Sequence, residues 1–152
     1  MAEQQRFPWL CAGGDIEAIA TAIENGADVN EEDPAYGETG LMWALEYNHN
    51  NVVQLLINLP RVDVNKVDQG YRLCAAHYAA GVDNHAGLEA LLARQDLTTI
   101  NHRDDHEGLS PIMEAVSFGD PLFRCFNLLL VDQRVDLDAR DAHQRSPEEV
   151  RR

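Results

Sequence analysis

Gly14-Asp15-Ile16-Glu17-Ala18-Ile19-Ala20-Thr21-Ala22-Ile23-Glu24-Asn25-Gly26-Ala27-Asp28-Val29-Asn30 carries an apolar stripe, Ile16, Ile19 and Ile23, at helical spacing. Gly26 follows as a residue suited to the left-handed conformation that ends helices. The exit Ala27-Asp28-Val29-Asn30 then recurs as Val62-Asp63-Val64-Asn65, Thr98-Thr99-Ile100-Asn101 and Val135-Asp136-Leu137-Asp138, with last residues 35, 36 and 37 apart. Each exit follows a stripe of its own: Val52, Val53 and Leu56; Leu88, Leu91 and Leu92; Phe123, Phe126 and Leu130. Shorter apolar segments, such as Leu41-Met42-Trp43-Ala44-Leu45 and Ile112-Met113-Glu114-Ala115-Val116, stand in front. The period therefore holds two helices, the signature of a stacked solenoid.

Capping chemistry marks the boundaries. Ser110-Pro111 offers a capping hydroxyl followed by proline at the first helical position, and Thr39 holds the equivalent cap earlier. Ser146-Pro147-Glu148-Glu149 sets Glu149 three residues after the serine, a capping box that starts a last helix.

Period, paired helices and wording together resemble the ankyrin-repeat family, with residues 14–30 matching its second helix and exit. Cys74-Ala75-Ala76-His77-Tyr78-Ala79-Ala80 is similar to the family's Thr-Pro-Leu-His-x-Ala-Ala first helix, and Gly108-Leu109-Ser110-Pro111-Ile112-Met113-Glu114-Ala115 is closer still. The resemblance implies an all-α solenoid of paired antiparallel helices joined by hairpin loops. It has about four repeats, 5–32, 33–66, 67–102 and 103–140, and a C-terminal half repeat, 141–152, all in one domain. It departs from the family at the later exits, Asn58-Leu59-Pro60, Arg94-Gln95-Asp96 and Asp132-Gln133-Arg134, which lack the terminal glycine and need different loops. The layer of Phe123, Phe126 and Leu128 to Leu130 is expected to be incompletely capped.

Composition bounds the function. Hydrophobic residues at 45% and charged residues at 25% suit a folded globular chain. Twelve Lys and Arg against 26 Asp and Glu give a net charge of -14, which repels nucleic acid and anionic membranes and either draws in a partner with a basic segment or serves solubility alone. Cys11, Cys74 and Cys125 form no Cys-x-x-Cys pair and suit a reducing compartment, cytoplasmic or nuclear. Phe7 to Ala12 is too short for a signal-peptide core and Leu128 to Val131 too short to cross a bilayer, so a soluble protein is expected, monomeric unless its C-terminal edge pairs.

No catalytic residue and no cofactor is assigned. Among His49, His77, His85, His102, His106 and His143, the pair His102 and His106 would share a helical face, but here it falls on a hairpin tip where that spacing carries no metal geometry. In the family's pattern His77 hydrogen-bonds within the repeat framework. Gly13-Gly14-Asp15 lacks the lysine of a phosphate loop, and Ser110 and Ser146 lie in no nucleophile elbow.

Ankyrin stacks bind proteins through hairpin tips and the exposed edges of first helices. That resemblance maps a binding face onto Tyr36, Glu38, Tyr71, Leu73, His106, Glu107, Leu109 and His143 in the hairpins, with Glu46, Tyr47, Val82 and Phe118 at the first-helix ends. Tyr36, Tyr47, Tyr71 and Phe118 are the expected anchors, whereas Trp43 and Tyr78 are expected between repeats. Glu31, Glu32, Asp33, Glu38, Glu46, Asp104, Asp105 and Glu107 would make the groove acidic. The family also suggests Asn30 and Asn65 as hydroxylation sites, against the simpler reading of asparagines bonding their own turns. Alternatives to a stand-alone adaptor are a small ankyrin-type inhibitor of an enzyme such as a kinase, disfavoured by the ordinary helix expected over Thr39 to Tyr47, and the targeting domain of a larger enzyme.

Overall fold

The computed structural model describes residues 5–117 and 124–150. Their helices are α1 (Phe7–Gly13), α2 (Ile16–Glu24), α3 (Gly40–Glu46), α4 (Asn50–Ile57), α5 (Ala75–Gly81), α6 (His85–Leu92), α7 (Pro111–Ser117), α8 (Arg124–Val131) and α9 (Pro147–Val150), with a 3-10 turn at Thr99–Asn101. First helices α1, α3, α5, α7 and α9 pack in one row and second helices α2, α4, α6 and α8 in another. Between them lies a continuous core that includes Ile19, Leu45, Val52, Leu56, Leu88, Leu91 and Leu129. Phe123 of the predicted fourth stripe lies outside the described residues.

None of these helices exceeds nine residues, and helices so short are marginal alone, so packing and caps hold them. The Thr39 hydroxyl accepts from Met42 N, as its position predicts, and α3 is a regular helix. Asp15 and Asn84 cap α2 and α6. Ser146 and Glu149 form the expected box, with Ser146 N donating to Glu149 Oε2 at 2.7 Å and Glu149 N to Ser146 Oγ at 3.3 Å. Ser110 differs: α7 starts at Pro111, but the buried serine hydroxyl finds no hydrogen-bond partner among the described residues. Within a repeat the helices turn on one left-handed residue, Gly14, Asn48 or Asp83, the types that tolerate that region best.

Gly26, at φ 86°, ends α2 as expected. Later exits use arginine instead of glycine. The Arg94 guanidinium donates to the carbonyls of Ile57 and Val62 in the preceding repeat while pairing with Asp96 at 2.6 Å. Arg134 repeats this on Leu92 and Arg94, paired with Asp132. A planar fork satisfies several orphan helix-end carbonyls at once, which a terminal glycine does with its backbone.

Register between repeats is set by an asparagine ladder. Asn30 donates Nδ2 to Arg61 O at 2.8 Å and accepts from Asp63 N at 2.7 Å. Asn65 does the same with Asp96 O and Thr98 N, and Asn101 with Arg134 O and Asp136 N. At the far end the layer of α8 is open: Leu130 is 43% exposed, Val131 77% and Leu137 45%.

Candidate functional site

The hairpin tips are built around a second periodic series. Asp33, Asp68, Asp104 and Asp141 are all buried, and each turns its carboxylate inward onto the amides of its own loop. Asp33 accepts from the amides of Ala35, Tyr36 and Glu38; Asp104 accepts from those of His106, Glu107, Gly108 and Leu109. Burial pushes the Asp33 carboxyl up, but those amide donors outweigh it and hold it below its ordinary range. Neighbouring tips are stitched by backbone bonds, Gln69 N to Tyr36 O, Asp105 N to Tyr71 O and Ala142 N to Glu107 O.

This corrects the expected acidity. Asp33 and Asp104 are loop cores rather than groove charges. Glu31 pairs with Arg6 at 3.0 Å, Glu32 with Lys66 at 2.7 Å, and Glu107 lies 3.6 Å from Arg145. Among the described residues, Glu38, Glu46 and Asp105 have no basic partner, and Glu114 of α7 joins them. Glu38 accepts the Tyr78 hydroxyl at 2.8 Å, yet burial and the neighbouring Asp33 and Glu46 push its carboxyl up to about 7. Burial, with Asp104 and Glu107 nearby, does the same to Glu114.

Tyr36 and Tyr71, each 62% exposed, stand on adjacent tips, and the Tyr71 ring lies 5.3 Å from that of His106. Tyr47 and Val82 protrude from the ends of α3 and α5. Leu73 is half-buried and His143 exposed. Leu109 must be withdrawn from the contact set: it is 6% exposed, and its carbonyl accepts from His77 Nε2 at 2.9 Å. Phe118 lies outside the described residues.

One helical register was missed. Trp9, Trp43 and Tyr78 each precede the left-handed turn residue by five positions, and Tyr78 and Glu114 each follow the residue before their helix by four. The outward edge of the first helices therefore carries Trp, Trp, Tyr, Glu in order. Trp43 is half-buried and stacks on Tyr47 with centroids 5.7 Å apart, planes within 9°. Tyr78 does span two repeats through its hydroxyl, as expected, but also lines a recess on this face. The 34- and 35-residue spacing of these aromatics was the available signal.

His77 plays the framework part its resemblance implies. Its Nδ1 accepts from Cys74 N at 3.2 Å, and burial pushes its pKa down to about 4, so it is neutral. His49 donates to Ala12 O and His102 to Arg72 O, so His102 and His106 are engaged apart from one another. Among the described residues, no group of three or more His, Cys, Asp or Glu is placed to hold a metal. All three cysteines are buried thiols, with burial raising Cys11 to about 12 and Cys74 to about 11. Asn30 and Asn65 bond the next repeat instead of their own turns, with both ends of the amide occupied.

Residues 9–101 match the family model for ankyrin repeats (three copies). The E3 ubiquitin-protein ligase XBAT33 of Arabidopsis thaliana is 31% identical over 145 residues, 80% of this chain and 28% of the relative. Ankyrin repeat domain-containing protein 40 of Homo sapiens is 38% identical over 55 residues, 36% of this chain and 15% of the relative. A probable E3 ubiquitin-protein ligase of rice, XBOS33, is 36% identical over 80 residues, 53% of this chain and 14% of the relative. The chain thus spans less than a third of the curated relatives it matches. With the helix rows, hairpin tips and turn register in place, it belongs to the ankyrin-repeat family, whose repeats are protein-interaction modules.

Proposed function

We propose that this chain is a non-catalytic adaptor module that holds a partner protein against its hairpin tips and first-helix edges, and that the partner presents a basic segment there. The observation that carries this is the coincidence on one face of exposed Tyr36, Tyr47, Tyr71 and Val82 with carboxylates Glu38, Glu46, Asp105 and Glu114, which meet no basic side chain among the described residues. Exposed aromatics are the commonest binding hot spots, while unscreened carboxylates steer cations and add salt dependence. Affinity capture from native extract, with the wild type beside Tyr47→Ala/Tyr71→Ala, tests it by quantitative mass spectrometry. Partners should fall at least tenfold in the variant and weaken as salt rises from about 50 to 300 mM. Equal recovery by both proteins at both salts would move binding off this face.

A second reading follows from XBAT33 and XBOS33, of which the chain matches 28% and 14%. The repeats would there select what a larger enzyme acts on, using the same face. Fusing the chain to an unrelated ligase catalytic domain and asking whether captured partners become ubiquitinated separates this from simple scaffolding.

A further inference from the structure

A recess with built walls lies on the binding face. It offers about 200 Å3 between α3, α5 and α7, and its walls are Leu73, His77, Tyr78, Gly81 and Val82. Glu46 enters from α3 on one side and Glu114 from α7 on the other. The space exists because position 81 has no side chain. The Glu114 carboxylate lies over that glycine, with Oε1 only 3.4 Å from where a Cβ would stand. Gly81 shares its helical position with Glu46 and Ser117, five after Ala76, Leu41 and Ile112, so of these three repeats the third alone has no side chain there.

Among the described residues, neither Glu46 nor Glu114 meets a hydrogen-bond donor or a basic side chain. Elsewhere the pattern is the reverse: Glu31, Glu32, Asp96, Asp132 and Asp141 all pair with arginine or lysine. A half-buried carboxylate without a partner opposes folding, since desolvation is not offset. Apolar walls and a tyrosine ring beneath two such carboxylates complement one kind of group, a flexible hydrocarbon stem ending in a cation. Calcium or magnesium would need about six oxygen ligands, which two carboxylates above Leu73 and Val82 do not supply, and among the described residues no third metal-ligating side chain joins them. An anion would be repelled.

We propose that this recess receives a single lysine or arginine side chain of the bound partner, its stem along Leu73, Tyr78 and Val82 and its cationic head between Glu46 and Glu114. The inference rests on the binding-face reading but identifies a specific anchor within it. Burial that raises the Glu114 carboxyl is consistent with a site completed by a cation.

The test needs no partner. The full chain, labelled with nitrogen-15, is titrated with n-butylammonium chloride, n-butylguanidinium chloride or neutral n-butanol at matched ionic strength. Saturable amide shifts at Leu73, Gly81 and Val82 are expected with one or both cations, with at least tenfold weaker response to butanol. The stronger cation tells lysine from arginine. Glu46→Gln/Glu114→Gln, which keeps shape and whose fold is checked by its amide spectrum, should lose the cation response tenfold or more. Butanol shifting the same amides as strongly, cations shifting only other regions, or the double variant responding like wild type would each overturn the proposal. Any of these results leaves the binding face testable by its tyrosines, whereas equal partner capture by the Tyr47/Tyr71 variant would remove the face without touching the cation titration.

Discussion

At the residue scale, one polar side chain often does two jobs that its type permits and its neighbours exploit. Each ladder asparagine donates and accepts across a repeat boundary; an aspartate accepts only, so Asp138, next in the series, cannot extend the pattern in kind. His77 accepts from Cys74 N and donates to Leu109 O, which requires the neutral ring. Its folded pKa, pushed down to about 4 by burial, lies below the unfolded value near 6.5, so the unfolded chain binds the extra proton first. The resulting stability is fully present above pH 6.5 and lost as pH falls toward 4. Glu38 and Glu114, raised to about 7, act oppositely: they favour the folded state as pH falls from 7 through the ordinary glutamate range. His77→Met copies Met42 and Met113, which hold the same position in neighbouring repeats. Urea unfolding at pH 7 and pH 4.5 should show the wild type losing on the order of 2 kcal/mol more than this variant. Equal losses would mean that His77 is not the acid-sensitive group.

At the scale of elements, helices of seven to nine residues depend on how closely neighbours approach. Gly40 opens α3 where a Cβ would come within 2.6 Å of Cys11 Sγ and 3.2 Å of Phe7 on α1. Alanine would add about 1 kcal/mol of helix propensity, but overpacking a buried contact costs about 1–3 kcal/mol. Gly40→Ala is therefore expected to lower stability by up to about 2 kcal/mol in chemical denaturation, and a stabilised protein would show that α1 yields easily. The arginine exits obey the same logic of long reach: Arg94 and Arg134 supply from the following repeat what Gly26 supplies locally.

Across the whole molecule, repeats are stabilised by their neighbours, so protection should follow position in the stack. The middle layers, α3 to α6, are covered on both sides, while α8 leaves Leu130, Val131 and Leu137 open beside a short α9. Hydrogen exchange should therefore give α8 and α9 amides protection at least tenfold below those of α4 and α6. Equal protection would mean that the stack unfolds as one unit. The repeat architecture also continues past residue 101, where the family match stops, because Asp104 and Asp141 rebuild the hairpin and Asn101 bonds Asp136.

The sequence by itself determined the period, the paired helices, the Thr39 and Ser146 caps, the Gly26 exit and the outward placement of Tyr36, Tyr47 and Tyr71, because these follow from local patterns repeated at fixed spacing. Only the tertiary structure decided which acids are charges and which are scaffolding. Asp33 and Asp105 look alike in a list of acidic residues, yet one is folded onto its own loop amides and the other is exposed. Leu109 went inward and Glu114 came to lie over Gly81 for the same reason. A side chain's direction and its partners depend on contacts 30 to 40 residues away, where the period says which positions are equivalent but not what each one touches.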